Sequence, residues 1–323
     1  MDRYLITGFS GFVGRHFLEY LSASGRPADL LGIDLSCPDF ELGGEGLGQV
    51  DFQEMDLLDR EGFEKVLRDF QPNYILHLAS YSSVAFSWEN PIKSFQNNTN
   101  IFLNMLEAVR SVDPRIRILS IGSSEEYGDL PQGQSAFREQ DSLHPISPYA
   151  VARVSQEMLT KVYVHGYGMD IVMTRSFNHI GPGQKETFAI ASFAKRLVEM
   201  KKEGVVSPKL MTGDISLIRD FVDVRDVVRA YGELLKRGKK GEVYNICSGI
   251  GHSLADVIQQ MGSILDVEID TETDTGRIRP SDNKVIIGSY EKIKRDIGWA
   301  PEISLKKSLG DIIVFWDRCR MCA

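Results

Sequence analysis

The 323-residue sequence predicts an α/β protein, a doubly wound parallel sheet with a smaller, mostly C-terminal lobe. Three observations predict it. Short apolar strand-like runs alternate with helical patterns over residues 1–180. A glycine-spaced turn follows the first apolar run and opens a helix. Beyond Gly181 the alternation gives way to shorter elements, punctuated by Gly181-Pro182-Gly183 and Arg279-Pro280.

Each element has a local reason. Arg3 to Thr7 is an apolar run ending at the turn, and Gly14 to Ser24 carries a helical pattern. Leu30 to Asp34 reads as a strand, Arg60 to Phe70 as a helix and Tyr74 to Leu78 as a strand. Pro91 to Ser111 is a long helix and Arg117 to Ile121 the next strand. Ser147 is a good N-cap and Pro148 suits a first helical position, so a helix runs from Pro148 to Tyr167. Asp170 to Ser176 is a strand. Lys209 to Met211, Val243 to Ile246 and Glu268 to Thr271 are short strands, and Val222 to Leu235 is a helix. The expected division is a first lobe at 1–180, with a return segment near 220–248, and a second lobe mainly at 181–323. The second lobe is expected to close over the C-terminal ends of the strands, with right-handed crossovers.

Composition narrows the function. At 42% hydrophobic residues the chain can bury a sizeable core. A formal charge of −8 argues against general affinity for nucleic acid or an anionic membrane. An anionic substrate would need local arginines. No apolar run is long enough to span a bilayer, and Met1 to Gly14 lacks a basic leader region. Cytoplasmic residence is the expectation. The four cysteines are too few and scattered for a disulfide framework. Cys319-Arg320-Met321-Cys322 reads as a reduced, frayed tail rather than a redox or zinc site, so no metal is expected.

Thr7-Gly8-Phe9-Ser10-Gly11-Phe12-Val13-Gly14 is the first chemical signal. Glycines at 8, 11 and 14 permit a tight turn, close approach to a pyrophosphate and close helix–strand packing. The helix N-terminus adds free N–H groups and a positive dipole end. Asp34 lies 20 residues past Gly14 at the end of the second strand. A carboxylate there accepts from ribose hydroxyls and repels a 2′-phosphate, which favours NAD(H) and leaves NADP(H) open. The first lobe is therefore Rossmann-type. Leu35 adjoins Asp34, Asp56-Leu57 follows another short strand near the adenine end, and Leu78-Ala79-Ser80 lies where a dinucleotide crosses. His77 reads as a packed core histidine.

The second signal is Ser147-Pro148-Tyr149-Ala150-Val151-Ala152-Arg153. Tyr149 and Arg153 fall one turn apart on one helix face. A tyrosine that donates a proton leaves a phenolate, which a neighbouring cation and an oxidised nicotinamide favour. Arginine supplies the charge but cannot itself pass a proton. Alone, the pair reads better as a buried aromatic and a solvated arginine. Ile121-Gly122-Ser123-Ser124-Glu125-Glu126-Tyr127-Gly128 leaves a strand for a loop, where chemistry sits in such sheets.

With these residues the chain resembles the extended short-chain dehydrogenase/reductases nearly end to end. The shared features are the glycine turn, His77-Leu78-Ala79, Asn98, Ser123, Tyr127-Gly128, Tyr149 and Gly298-Trp299. Within them it looks most like the GDP-4-keto-6-deoxy-D-mannose reductases (GDP-rhamnose synthases), close to the GDP-mannose 4,6-dehydratases. The discriminating runs are Phe177-Asn178-His179-Ile180-Gly181-Pro182-Gly183-Gln184-Lys185, Arg219-Asp220-Phe221, Tyr244-Asn245-Ile246-Cys247-Ser248-Gly249 and Arg279-Pro280-Ser281.

The resemblance implies roles. Ser123 would hydrogen-bond the sugar C4 oxygen, Tyr149 would exchange its proton, and Arg153 would stand where a lysine meets the nicotinamide ribose. Glu125 matches the residue that removes the C5 proton in the dehydratases, and the reductases keep it too. Asn98, Ile121, Phe177 and Ile180 would line the cofactor with Gly8, Ser10, Gly11, Phe12, Val13 and Gly14. Asn178, Arg219 and Arg279 would hold the nucleotide and its phosphates, and Asp282 a ribose of the substrate. The long helices would pair two copies into a dimer. Three functions stay open: a NAD(P)H-dependent reductase of a GDP-4-keto-6-deoxyhexose, a redox-neutral 4,6-dehydratase or epimerase retaining NAD, and a binding protein without turnover. Asp34 favours the second and Arg153 alone the third.

Overall fold

The structure is a computed structural model describing residues 1–279 and 281–319, so Pro280 and the cysteine-containing tail beyond Cys319 lie outside the described residues. The first lobe comprises β1 (Asp2–Thr7), α1 (Phe12–Ala23), β2 (Ala28–Asp34), β3 (Val50–Glu54), α2 (Arg60–Phe70), β4 (Tyr74–His77), α3 (Val84–Glu89), α4 (Pro91–Val112), β5 (Arg117–Ser123), α5 (Pro148–Tyr167) and β6 (Ile171–Ser176). The chain continues through β7 (Asn178–Ile180), α6 (Ala189–Lys202), β8 (Lys209–Thr212), β9 (Ile218–Asp223), α7 (Val224–Arg237) and β10 (Val243–Ile246). It ends with β11 (Gly251–Ser253), α8 (Leu254–Leu265), β12 (Asp270–Thr273), β13 (Val285–Ile286), α9 (Glu291–Ile297) and α10 (Leu305–Arg318).

Seven strands form the central sheet in the order β10-β6-β5-β4-β1-β2-β3, every pair parallel. The strand order reverses between β1 and β4, the switch point where such sheets bind ligands beyond their carboxyl ends. Strand side chains alternate between two cores. Tyr4 and Ile6 face α1, α7 and α9, whereas Leu5 faces α2, α4 and α5. Both faces are covered, as the continuous apolar strand runs require.

The chain returns to the central sheet late, with α7 packed beside α1 and β10 paired to β6. The helix predicted from Val222 starts at Val224, because Val222 and Asp223 belong to β9 and the Asp223 side chain caps α7 by accepting from Arg225 N. The strand predicted at Glu268 to Thr271 lies at Asp270–Thr273, where its register against Lys209–Thr212 sets it. Trp299 is buried and donates its indole N–H to Asp226 O at 3.1 Å, locking the segment after α9 onto α7.

A third core joins Phe193 and Leu197 of α6, Val257 and Met261 of α8, and Leu309 and Ile312 of α10. β11, β9, β13 and β7 form a small separate sheet, from which Ile180 and Phe221 join this core. Among the described residues no helix is long and apolar enough to cross a membrane.

Candidate active site

The glycine turn is fixed by geometry that side chains would break. Gly8 has φ +71°, and a Cβ there would lie 2.6 Å from Ala79 N. A Cβ at Gly14 would lie 2.1 Å from Phe9 O, so only glycine lets α1 sit this close to the turn. Gly11 caps α1 and no side chain hydrogen-bonds the first helical turn. Its N–H groups therefore face outward for an anion, and a dinucleotide pyrophosphate fits that end. Phe12 and Val13 are half-buried beside it.

Asp34 accepts from Ser10 N at 3.0 Å and from Leu35 N at 2.7 Å. Its carboxylate thus ties the end of β2 to the glycine turn. Ser10 Oγ donates to Ser36 O at 2.6 Å, closing the same loop. Asp56 accepts from Leu58 N at 2.9 Å, while Leu57 is buried in the core. Leu78 and Ala79 continue from β4 along the turn, with Leu78 N donating to Thr7 O at 3.0 Å. Asn98 is buried on α4 and grips the backbone of Tyr81, accepting from its N–H at 2.8 Å and donating to its carbonyl at 3.1 Å. It fixes the loop after β4.

His77 is a core residue, hydrogen-bonded through Nδ1 to Thr7 Oγ1 at 2.8 Å. Burial, then the Arg153 charge, pushes its pKa down to about 3, so it is neutral at physiological pH.

At the reactive end, β5 runs through Ile121 to Ser123 and enters a single 3-10 turn, Ser124–Glu126. Ser123 Oγ accepts from Glu125 N at 3.2 Å, and Glu126 Oε1 accepts from Ser123 N at 2.7 Å. This reciprocal cap holds the serine at the strand's end. Helix α5 begins as its cap residues dictate: Ser147 Oγ accepts from Ala150 N at 3.1 Å and Pro148 opens the helix. Tyr149 and Arg153 then lie on one buried face, with Arg153 Nε donating to Tyr149 Oη at 3.2 Å.

The guanidinium is not the solvated group that helix position alone suggests. Arg153 is only 4% exposed. Its Nη1 donates to Ile121 O at 2.9 Å and Gln156 Oε1 at 2.8 Å, and its Nη2 to Ser80 Oγ at 2.6 Å. Four of an arginine's five N–H donors are thereby used, all on neutral acceptors. Gln156, in turn, donates to Ser120 Oγ at 2.9 Å. It lies three residues after Arg153, so helix spacing could have flagged it.

A second cluster assembles from distant segments. Arg219 is buried on β9 and donates to Asp282 Oδ1 at 2.6 Å, while Arg279 donates to Asp282 Oδ2 at 3.2 Å. Asn283, fully buried, donates to Glu125 Oε2 at 3.0 Å. Burial holds the Glu125 carboxyl above the ordinary range against the pull of Arg219, while Asp282 adds to the rise. Asn283 carries no motif in the sequence, and only its adjacency to Asp282 could have pointed to it. Asn178 on β7 is exposed, whereas Phe177 and Ile180 on either side are buried. Asp220, between Arg219 and Phe221, accepts from Ser248 N, Ser248 Oγ, Gly249 N and Gly288 N, joining two of the discriminating segments to the chain at Gly288. The arrangement offers a phosphate-binding turn, a serine–tyrosine–guanidinium set and a two-arginine anion site.

A sequence model of the family described as GDP-mannose 4,6 dehydratase matches residues 5–312. The GDP-6-deoxy-D-mannose reductase of Pseudomonas aeruginosa is 33% identical over 316 residues, covering 98% of this chain and 97% of that protein. The dTDP-glucose 4,6-dehydratase of Haemophilus influenzae is 25% identical, with 98% of each chain covered. The structure of RMD from P. aeruginosa complexed with NADPH is 32% identical at a TM-score of 0.84, covering 98% of this chain and 99% of that one. The Thermus thermophilus UDP-glucose 4-epimerase complex with NAD is 28% identical at a TM-score of 0.84, covering 98% of this chain and all of that one. With the family match spanning nearly the whole chain and the fold shared end to end, this chain belongs to the GDP-mannose 4,6-dehydratase family, among the NAD(P)-dependent extended short-chain dehydrogenase/reductases.

Proposed function

We propose that this protein reduces the C4 keto group of a GDP-linked 4-keto-6-deoxyhexose, using NAD(P)H. The observation that carries the reading is the full-length 33% identity to a GDP-6-deoxy-D-mannose reductase. The Ser123, Tyr149 and Arg153 arrangement supports it.

A nicotinamide dinucleotide bound with its pyrophosphate at the turn would supply the hydride. The chain's own residues do the rest. The first turn of α1 and the glycine turn hold the pyrophosphate, and Asp34 meets the adenosine ribose. Asp34 favours NADH over NADPH, since a 2′-phosphate would confront its carboxylate. Ser123 hydrogen-bonds the sugar C4 oxygen and Tyr149 donates the proton that oxygen needs. Arg153 stabilises the phenolate left behind and offers its remaining Nη2 proton toward the nicotinamide ribose. Arg219 and Arg279 receive the substrate diphosphate, with Asn178 alongside, and Asp282 reorients between the arginines and a substrate ribose. Fixed donors and positioning supply most of the rate. Cofactor binding belongs to the first lobe with its return segment, and sugar-nucleotide binding mainly to the second.

Two copies pair through α4 and α5. Exposed Ile92 and Phe95 on α4, and Val151, Met158 and Val162 on α5, repeat at helical spacing on a face left exposed by the described residues.

The test is reduction of enzymatically prepared GDP-4-keto-6-deoxymannose, followed by loss of reduced-nicotinamide absorbance. Tyr149→Phe is expected to lower kcat by about 10³-fold while cofactor affinity persists. Conversion of GDP-mannose to a stable 4-keto product without added NAD(P)H would instead establish the redox-neutral dehydratase, the reading Asp34 favours.

A further inference from the structure

The catalytic loop carries two consecutive glutamates, and they face opposite environments. Glu125 points toward Asn283 and the arginine pair. Glu126 is fully buried under the loop. Its Oε1 accepts from Ser123 N at 2.7 Å, and its Oε2 is buried with no hydrogen-bond partner among the described residues. Gly122 makes the approach feasible, since a Cβ there would lie 2.5 Å from Glu126 Oε1.

We propose that Glu126 is a positioning residue that works as a neutral carboxyl, holding Ser123 by its N–H while leaving the Arg153 charge uncancelled beside Tyr149. The inference rests on the assignment of Ser123 and Tyr149 to the reaction.

Charge accounting carries it. The charged groups acting on Glu126 are Glu157 and Arg153 on α5 and Arg175 on β6, with Tyr127 its neighbour in sequence. From the adjoining loop, His144 N donates to its backbone carbonyl at 3.0 Å. Glu157 is already matched: Arg175 binds it with two hydrogen bonds of 2.9 Å, and Lys161 adds a contact at 2.8 Å. Tyr127 donates to Asn245 Oδ1 at 2.8 Å and lies against the Arg175 guanidinium. Arg153 hydrogen-bonds no carboxylate among the described residues. An ionised Glu126 would set a second negative charge beside Glu157 in a buried site. It would also oppose the field of Arg153 where Tyr149 must become negative. Burial first, and the Glu157 charge second, push its pKa up to about 8, against the Ser123 N–H and both guanidinia.

The sign follows. Glu126 is neutral below its pKa and gains charge as the pH rises through about 8. The kcat/KM for reduction then falls as the Glu126 carboxylate opposes the field of the Arg153 charge at Tyr149.

Two measurements test this. Infrared spectroscopy of the full chain labelled with ¹³C-glutamate, without substrate, is expected to show a protonated-carboxyl stretch at neutral pH. It should vanish as the pH passes about 8, and be missing in Glu126→Gln. The kcat/KM profile of Glu126→Gln is expected to have its alkaline limb displaced upward by at least about one pH unit. Glu126→Val carries the same expectation for the limb should the Gln variant fold poorly. A carboxylate-only spectrum at neutral pH, or an unmoved limb in a folded variant, overturns the proposal. The infrared arm needs no substrate, so its failure refutes this inference alone. Absence of reductase turnover in the unsubstituted chain refutes the functional reading instead.

Discussion

Replacing Arg153 by lysine and by methionine separates its charge from its hydrogen bonds. The guanidinium spreads its donors over Tyr149 Oη, Ile121 O, Gln156 Oε1 and Ser80 Oγ. Lysine has three N–H donors on one nitrogen, so it cannot serve groups reached by Nη1 and Nη2 together. At least one buried acceptor is orphaned in Arg153→Lys, a cost of about 1–3 kcal/mol. At roughly 2–4 °C per kcal/mol for a chain of this size, the melting temperature drops by about 5 °C. The charge survives, so kcat/KM stays within about tenfold of the parent. Arg153→Met removes the charge. The guanidinium carbon lies 5.2 Å from the Tyr149 ring centre. At that separation and an effective dielectric near 20, a unit charge contributes about 3 kcal/mol toward a developing phenolate. Its loss predicts about a 100-fold fall in kcat/KM. The assay is steady-state consumption of reduced nicotinamide, with folding checked by circular dichroism. A folded Arg153→Met variant within about threefold of the parent would refute the electrostatic role.

Two further predictions follow from hydrogen bonds around the site. Asp34→Asn keeps one acceptor for Ser10 N or Leu35 N and removes the negative charge; the kcat/KM ratio of NADPH to NADH should rise by about 10-fold or more, and an unchanged ratio would remove Asp34 from cofactor choice. Asp220→Asn turns an amide donor toward N–H groups that now meet a carboxylate on both oxygens; unfolding by denaturant should show a loss of about 3 kcal/mol, and a change under about 0.5 kcal/mol would mean the segments it joins are held by packing instead.

Much of the molecule was legible because its determinants are local. The Ser147–Pro148 start and the length of α5 follow from cap chemistry, and Tyr149 and Arg153 share a face because a helix repeats every 3.6 residues. Strand β10 was legible as a strand from its apolar run, yet its place beside β6 was not, since pairing depends on the path of the crossover. The start of α7 was misread by two residues because an apolar run spans the end of β9 and the first helical turn without a break in hydrophobicity.

The site divides in the same way. By itself the sequence determined the α/β alternation, the glycine turn with its acid, and the serine and tyrosine to which the proposed chemistry is assigned. Each is written in residues a few positions apart, where backbone sterics and periodicity act. Only the tertiary structure decided what those groups touch. Arg219 meets Asp282 across 63 residues, and Asn283 meets Glu125 across 158. Arg153 is interior and surrounded by neutral acceptors, which no spacing rule announces. Of two adjacent glutamates, one pairs with Asn283 beside the Arg219–Asp282 cluster and the other is fully buried. Burial and pairing between distant segments arise from sheet order and packing, and they set the charge state of a side chain that its neighbours in sequence leave undetermined.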